Sequence, residues 1–306
     1  MRVSVVICEH TLDRYQDLRE AADSVLTQTH DDIELVLVAD GSEEVCQQFY
    51  DEYDDHENVS LHCNENNVGL LESRNNGAKV ATGDVVAFLD DDAVADPGWV
   101  AELVEVYENL NAISVGGKMI PLWVAGRPSF LPEEFYFLVG VTQRGFADGR
   151  GEVRNTFGSN ISFRRDIFLE LDGFDTTIGG RQGDENLQGG ETELCARLRS
   201  EYGQGVYYNP EAKVAHKVFD YRTKPLWLLD RAFWQGYSKR GMEVLVPEST
   251  GEEYDFLGRL FGKFVPARTR DLVRNPSLEK IVQFIMLFAF TGAVGFGYLY
   301  GMTKWR

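Results

Sequence analysis

Residues 85–92 read Val85-Val86-Ala87-Phe88-Leu89-Asp90-Asp91-Asp92. The apolar, β-branched first half has the pattern of a buried strand. Three consecutive carboxylates cannot follow that strand into a core: unpaired, they repel one another and lose their hydration at heavy cost. They fit the carboxyl edge of a parallel sheet, where ligands bind, and they offer oxygen atoms to a hard divalent cation. A solvated acidic turn is the plainer alternative. A bound cation would serve chemistry on phosphorylated substrates.

Outward from this stretch, strand and helix alternate. Residues 2–8, 33–39, 59–62 and 85–89 read as strands; 13–27, 43–53, 70–81 and 97–110 carry helical spacing. Such alternation predicts an α/β fold with a parallel sheet and helices on both faces. Beyond residue 112 the pattern loosens. Residues 113–119 and 160–163 read as strands, 191–200 as a helix, and 206–208 and 213–215 as two short strands. Residues 121–145 mix Trp, Phe, Tyr and Pro as a loop or a membrane-facing patch does. Residues 226–237 form a helix whose aromatic face is Trp227, Phe233, Trp234 and Tyr237. No internal repeat or low-complexity segment interrupts the chain.

The 306 residues are 43% apolar, enough for a sizeable core, and carry a formal net charge of −19. So acidic a surface argues against nucleic acid as a partner. It suits a protein kept soluble in high salt, although ordinary acidic proteins share the trait. The four cysteines, Cys8, Cys46, Cys63 and Cys195, form no CxxC pair. That speaks against zinc and suits a reducing compartment. The N-terminal apolar run is short and ends at Glu9, which reads as a strand and not a signal peptide.

Residues 281–302 contain no charged side chain. As a helix they would cover about 33 Å, enough to span a bilayer core of about 30 Å. A buried core helix is the alternative. Gly297 and Gly301 form a GxxxG that could pack a second helix. Lys263, Arg268, Arg270, Arg274 and Lys280 precede the run, while only Lys304 and Arg306 follow it. This asymmetry predicts a single-pass helix in the cell membrane with the preceding residues in the cytoplasm. The expected division is 1–220 catalytic, 221–280 amphipathic and membrane-proximal, and 281–302 transmembrane.

Further motifs carry chemistry only as a set. Asp40-Gly41-Ser42 ends the second strand, where a carboxylate can accept from a ribose or base, or cap a helix. Ser73-Arg74-Asn75-Asn76-Gly77 sets an arginine near a helix start, suited to a phosphate or to a surface ion pair. Gly173-Phe174-Asp175 and a Gly-rich stretch lead to Gly190-Glu191-Thr192-Glu193-Leu194. A carboxylate in a first helical turn is stabilised by the helix dipole, whether for catalysis or for capping. His216 follows a short strand, where a histidine is a metal ligand or a structural side chain.

Taken in order, the apolar first strand, Asp-Gly-Ser at 40–42, Asn-x-Gly…Ser-Arg-Asn-x-Gly at 67–77, Phe-Leu-Asp-Asp-Asp at 88–92, Gly-Phe-Asp at 173–175 and Glu-Thr-Glu-Leu…Arg at 191–197 resemble the family 2 inverting glycosyltransferases. The resemblance covers roughly residues 1–220. It implies a GT-A nucleotide-diphospho-sugar transferase fold, a Rossmann-like mixed sheet, with the membrane helix appended. By the same resemblance Asp40 contacts the base, and His10 stacks on it. Arg74 lies near the nucleotide, and Asp90 and Asp91 reach ribose or metal. Asp92 is the main ligand of Mg2+ or Mn2+, with Asp90 and His216 as further ligands. Glu191 stands where the family usually has an aspartate base, one methylene longer, and Glu193 is the fallback. The processive Gln-x-x-Arg-Trp motif has no match, which implies one sugar per acceptor.

An acidic, membrane-anchored chain of this kind looks like the haloarchaeal enzymes that extend dolichol-phosphate-linked glycans for protein N-glycosylation and the surface-layer glycoprotein. Several of those transfer a hexuronic acid. The partners so implied are a nucleotide-diphosphate sugar donor, a lipid-linked glycan acceptor, the membrane and other glycan-assembly enzymes. Three alternatives stand beside this reading. One is a dolichol-phosphate sugar synthase. Another is a haloacid-dehalogenase-like phosphatase using Asp90 and Asp92, with Gly183-Asp184-Glu185 as its late acidic motif. The third is a membrane-tethered sugar-nucleotide binding protein without turnover.

Overall fold

The computed structural model describes residues 1–306 apart from 183, 184, 248–251 and 306; at 181, 182, 185 and 252–254 it describes the backbone alone. The chain forms two compact units. Unit 1 comprises Met1–Pro121, Gly149–Thr177 and Gly190–Lys217; unit 2 comprises Leu122–Asp148, Ile178–Gly189 and Val218–Arg306.

Unit 1 opens with β1 (Val3–Glu9), α1 (Tyr15–Leu26), β2 (Ile33–Asp40), α2 (Glu43–Tyr53), β3 (Val59–Asn64), α3 (Leu70–Val80) and β4 (Val85–Phe88). β1 pairs in parallel with both β2 and β4, and β2 with β3. These strands are continuous apolar runs because both sheet faces are covered. Val3, Val5 and Ile7 face Leu18, Ala22 and Val25 of α1 on one side; Val6, Val36 and Val38 face Ala78 of α3 on the other. Ser42 caps α2 by accepting from the Val45 amide at 3.3 Å, and Glu43 and Glu44 complement the helix dipole in its first turn.

Next come β5 (Ala93–Ala95), α4 (Trp99–Leu110), β6 (Ser114–Trp123), β7 (Gly151–Val153), β8 (Ile161–Arg164), α5 (Arg165–Glu170), the hairpin strands β9 (Gly180–Gln182) and β10 (Glu185–Leu187) of unit 2, α6 (Gly190–Tyr202) and β11 (Val206–Val218). The sheet is mixed, in the order β3-β2-β1-β4-β8-β6-β11-β5, with β7 also on β11. Two features differ from the sequence reading. Residues 206–208 and 213–215 belong to one strand, β11, that carries Pro210 within it. β5 was not foreseen, since three residues show no period; its pairing with β11 makes it a strand.

A second difference concerns the cysteines. Cys46 on α2 and Cys63 on β3 form a disulfide with Cα atoms 5.8 Å apart. Their separation of 17 residues matches no short pairing motif, and only the packing of α2 on β3 brings them together. The lack of a CxxC pair, on which the reducing-compartment expectation rested, therefore did not exclude a disulfide.

Unit 2 continues with α7 (Pro225–Leu245), α8 (Glu252–Arg259), α9 (Val265–Arg274) and α10 (Leu278–Lys304). Within residues 121–145, expected as a loop or a membrane-facing patch, Glu133–Val139 form a 3-10 helix. Its Phe135 and Leu138 pack with Leu228, Ala232, Leu287 and Phe290. Glu134, fully buried, receives a two-pronged ion pair from Arg268, whose other nitrogen reaches Gln283 of α10. α10 is long and apolar enough to cross a membrane by length and composition, with a mean hydropathy of 1.7. Gly297 lets it meet α7: a β-carbon there would stand 1.8 Å from the Phe233 carbonyl oxygen. The units are thus discontinuous in sequence, because 122–148 and 178–189 join the C-terminal segment.

Candidate active site

The site residues described below all lie in unit 1. β4 delivers Asp90, Asp91 and Asp92 at its carboxyl end, as the sequence implies for a sheet edge. The Asp90 amide donates to Ser159 Oγ at 2.9 Å. β5 then turns the chain back beside β11, pairing Ala93 with His216. That register puts His216 Nε2 3.3 Å from Asp92 Oδ1. Ligand atoms of Asp90, Asp92 and His216 all lie within 4.8 Å of one another. Two carboxylates and an imidazole make a donor set that suits a divalent cation such as Mn2+.

Arg74 organises the other side. It is 2% exposed, although it carries a full charge. Its guanidinium donates to Asp90 Oδ1 at 2.6 Å and to Glu191 Oε1 at 3.1 Å. It also lies over the rings of Phe88 and Phe174, 5.8 and 5.9 Å from their centres. Burial works against its charge, but Asp90 and then Glu191 outweigh it and hold Arg74 protonated. Glu191 sits in the first turn of α6, where the helix dipole also favours an anion.

The flanking motifs make contacts that hold the frame around Arg74. Asn75 clamps Phe174 in both directions: its Nδ2 donates to the Phe174 carbonyl at 2.9 Å, and the Phe174 amide donates to its Oδ1 at 2.8 Å. Gly173 holds φ at +68°, and a β-carbon there would strike Asn75 Oδ1 at 2.3 Å. The Gly-Phe-Asp sequence thereby fixes one of the two rings beneath Arg74. Glu193, buried, is bound by Arg197 at 2.5 and 2.7 Å. Arg197 also donates to the carbonyls of Leu171 and Gly173.

Asp40 is likewise occupied. Its carboxylate accepts from the amides of Val68 (2.8 Å) and Gly69 (3.0 Å) and from Asn64 Nδ2 (3.2 Å). It braces the loop that leads into α3, and no hydrogen bond joins it to the three aspartates among the described residues. His10 stands at the end of β1 with a side chain 60% exposed, beside Glu9.

Arg14 was missed by the sequence reading. It precedes α1 and pairs with Asp91 at 2.9 Å and Asp92 at 3.1 Å. Burial, and next the charge of Asp92, pushes Asp91 well above the ordinary carboxylate range despite Arg14. Nothing in residues 10–14 marks this pairing, which arises only where β1 and β4 lie side by side. Gly158 was missed as well. A β-carbon there would meet Glu191 Oε1 at 2.1 Å and Arg74 Nη1 at 2.7 Å.

The chain is similar to known proteins. The profile described as Glycosyl transferase family 2 matches residues 4–172. The chain is 49% identical over 303 residues to the glucosyl-dolichyl phosphate glucuronosyltransferase of Haloferax volcanii, covering 99% of this chain and 96% of that one. Among solved structures, the Pyrobaculum calidifontis mannosyltransferase PcManGT, in complex with GDP-Man and Mn2+, aligns with a TM-score of 0.63 at 15% identity, covering 100% of this chain and 88% of that one. The S. aureus TarS 1–349 complex with UDP-GlcNAc aligns at 0.56 and 18% identity, covering 96% and 82%. These likenesses establish the GT-A fold. The phosphatase alternative falls with them, and its Gly183-Asp184 lies outside the described residues. By its profile match, its near full-length likeness to one curated enzyme and its sheet architecture, the chain belongs to glycosyl transferase family 2.

Proposed function

We propose that this glycosyltransferase moves one hexuronic acid, glucuronic acid in particular, from a nucleotide-diphosphate donor to a sugar already linked to dolichyl phosphate, with inversion. The observation that carries the catalytic reading is Arg74, one buried guanidinium that holds both Asp90 at the strand edge and Glu191 at the helix start. It fixes the carboxylate assigned to the donor side and the carboxylate assigned to the acceptor side in one rigid frame. The substrate reading is supported by the 49% identity to the Haloferax enzyme of that name.

In this mechanism Glu191 takes the proton from the acceptor hydroxyl as that oxygen attacks the anomeric carbon, and the bond from that carbon to the nucleotide diphosphate breaks. Asp92, Asp90 and His216 would hold Mg2+ or Mn2+, which supplies positive charge against the departing diphosphate. Arg74 orients Glu191 through the hydrogen bond at 3.1 Å. Glu193, committed to Arg197, leaves Glu191 as the base. Asp40 shapes the loop before α3 that faces the nucleotide base, Asp91 lies against the ribose and His10 stacks on the base. The acidic surface serves a halophilic cell, where the product feeds N-glycosylation of surface-layer protein. α10 attaches the chain to the cell membrane with the catalytic residues on the cytoplasmic side.

The test is a panel of nucleotide sugars offered to purified protein with Mn2+ or Mg2+, and with either dolichyl phosphate or glucosyl-dolichyl phosphate, read by mass spectrometry. Addition of one hexuronic acid mass to glucosyl-dolichyl phosphate is expected. Transfer to bare dolichyl phosphate alone would make the protein a dolichol-phosphate sugar synthase instead. Tight donor binding with no transfer to either acceptor would leave a binding protein.

A further inference from the structure

A helix that crosses a bilayer takes its packed neighbours with it, and α10 has a charged one. Its contacts with α7 advance in step along both helices. A β-carbon at Gly297 would meet the Phe233 carbonyl at 1.8 Å, one at Gly236 the Val294 carbonyl at 1.9 Å, and one at Gly301 the Arg240 side chain at 2.9 Å. A β-carbon at Gly241 would stand 3.2 Å from the Trp305 ring. The second half of α10 therefore lies along the second half of α7, running in the same direction. α7 carries Asp230 and Arg231 in its first half and Lys239, Arg240 and Glu243 along that stretch. Glu243 pairs with Arg240 at 2.9 Å and accepts from Tyr298 of α10 at 2.6 Å.

The chain path sharpens the conflict. α7 ends beside the C-terminal end of α10. α9 lies at the start of α10, where its Arg268 and Asp271 reach Gln283 and Lys280. A crossing α10 would draw α7 and its charged side chains into hydrocarbon.

The exposed side of α10 is of the opposite character. Leu278, Ile281, Ile285, Phe288, Phe296 and Leu299 are all exposed, Leu278 by 77% and Phe296 by 70%. At 100° per residue they fall within an arc of about 80°. The residues buried against the protein, Gln283, Leu287, Phe290, Gly297 and Gly301, occupy the other side. A continuous apolar stripe this long does not stay in water. Residues 263–280 hold five basic side chains against two acidic ones in a chain whose net charge is −19. Lys263, Arg270 and Arg274 among them are exposed. That local sign reversal complements anionic headgroups.

We propose that α10 lies in the plane of the membrane surface, its stripe sunk into the headgroup–acyl boundary of an anionic bilayer, and that it does not cross. Unit 2 is then a monotopic docking surface in which α10 supplies the apolar face and α7 the polar one. Both chain ends stay on the same side of the membrane. This holds whichever sugar is transferred.

The full chain, tagged at either the N- or the C-terminus, is expressed in cells converted to sealed right-side-out vesicles and exposed to protease. Both tags are expected to stay protected until lysis. Cleavage of the C-terminal tag alone overturns the proposal and restores a crossing helix. Cleavage of both would refute the cytoplasmic orientation while sustaining the in-plane helix. In a second arm, purified chain is floated with vesicles containing phosphatidylglycerol. Ile285→Glu with Phe288→Glu should lower vesicle binding at least tenfold while transfer to a short-chain soluble acceptor is unchanged. Wild-type flotation of a folded double variant would overturn the stripe.

Discussion

Gly158→Ala probes the active-site geometry with the least disturbance to the fold. Gly158 is not among the glycines with positive φ, so alanine fits the backbone there. The added methyl would stand 2.1 Å from Glu191 Oε1 and 2.7 Å from Arg74 Nη1. A carbon–oxygen contact relaxes to about 3.3 Å, so the carboxylate must retreat by about 1.2 Å. Glu191 stands part-exposed at a helix start, so its carboxylate can retreat, at the cost of loosening its pair with Arg74. The loss of backbone entropy from the unfolded chain offsets part of that cost, so stability should stay within about 1 kcal/mol of wild type. A base displaced by about 1 Å typically loses a factor of about 100 in rate, or about 2.7 kcal/mol in the barrier. Steady-state kinetics and a thermal melt should therefore show kcat down about 100-fold, donor KM within about threefold and a near-unchanged midpoint. A folded Gly158→Ala protein with wild-type kcat would refute Glu191 as the base.

The remaining expectations are direct. Glu191→Gln should lower kcat by about 10²–10⁴ while donor affinity, measured by calorimetry, holds; unchanged turnover would reassign the base. Chelation should abolish transfer, and Asp92→Ala should remove Mn2+ binding as read by electron paramagnetic resonance, with His216→Ala weakening it by about tenfold; wild-type binding in Asp92→Ala would sink the metal assignment. Burial alone would raise the pKa of Glu34, but hydrogen bonds from Ser4 (2.5 Å), Thr82 (2.8 and 3.0 Å) and Ser60 (2.8 Å) outweigh it and hold the carboxyl below its usual range. The stabilisation is then full above the unfolded value of about 4.3 and fades as pH falls through the lower folded value. Glu34→Gln should cost about 1–3 kcal/mol at pH 7 and flatten the acid limb of the urea midpoint against pH; equal midpoints for the two proteins at pH 7 would contradict this.

The sequence by itself determined the parallel half of the sheet, the strand edge at Asp90 and the apolar length of α10. Each is a local pattern: continuous β-branched runs, a charge run directly behind one of them, and an uninterrupted apolar stretch. The helix read over 43–53 coincides with α2 because its cap, acidic first turn and apolar spacing agree. The order of motifs also carried the family, since each motif keeps its place in the chain.

Tertiary structure decided what those residues touch. His216 reaches Asp92 because β5 pairs with β11, and Arg14 reaches Asp91 because β1 lies beside β4. Cys46 meets Cys63 through helix-on-sheet packing. Asp40 holds the amides of Val68 and Gly69 and Glu193 holds Arg197, contacts that no spacing in the sequence foretells. The fate of α10 follows the same logic. Hydropathy reports how apolar a helix is, whereas the charged helix packed along it decides where that helix can go.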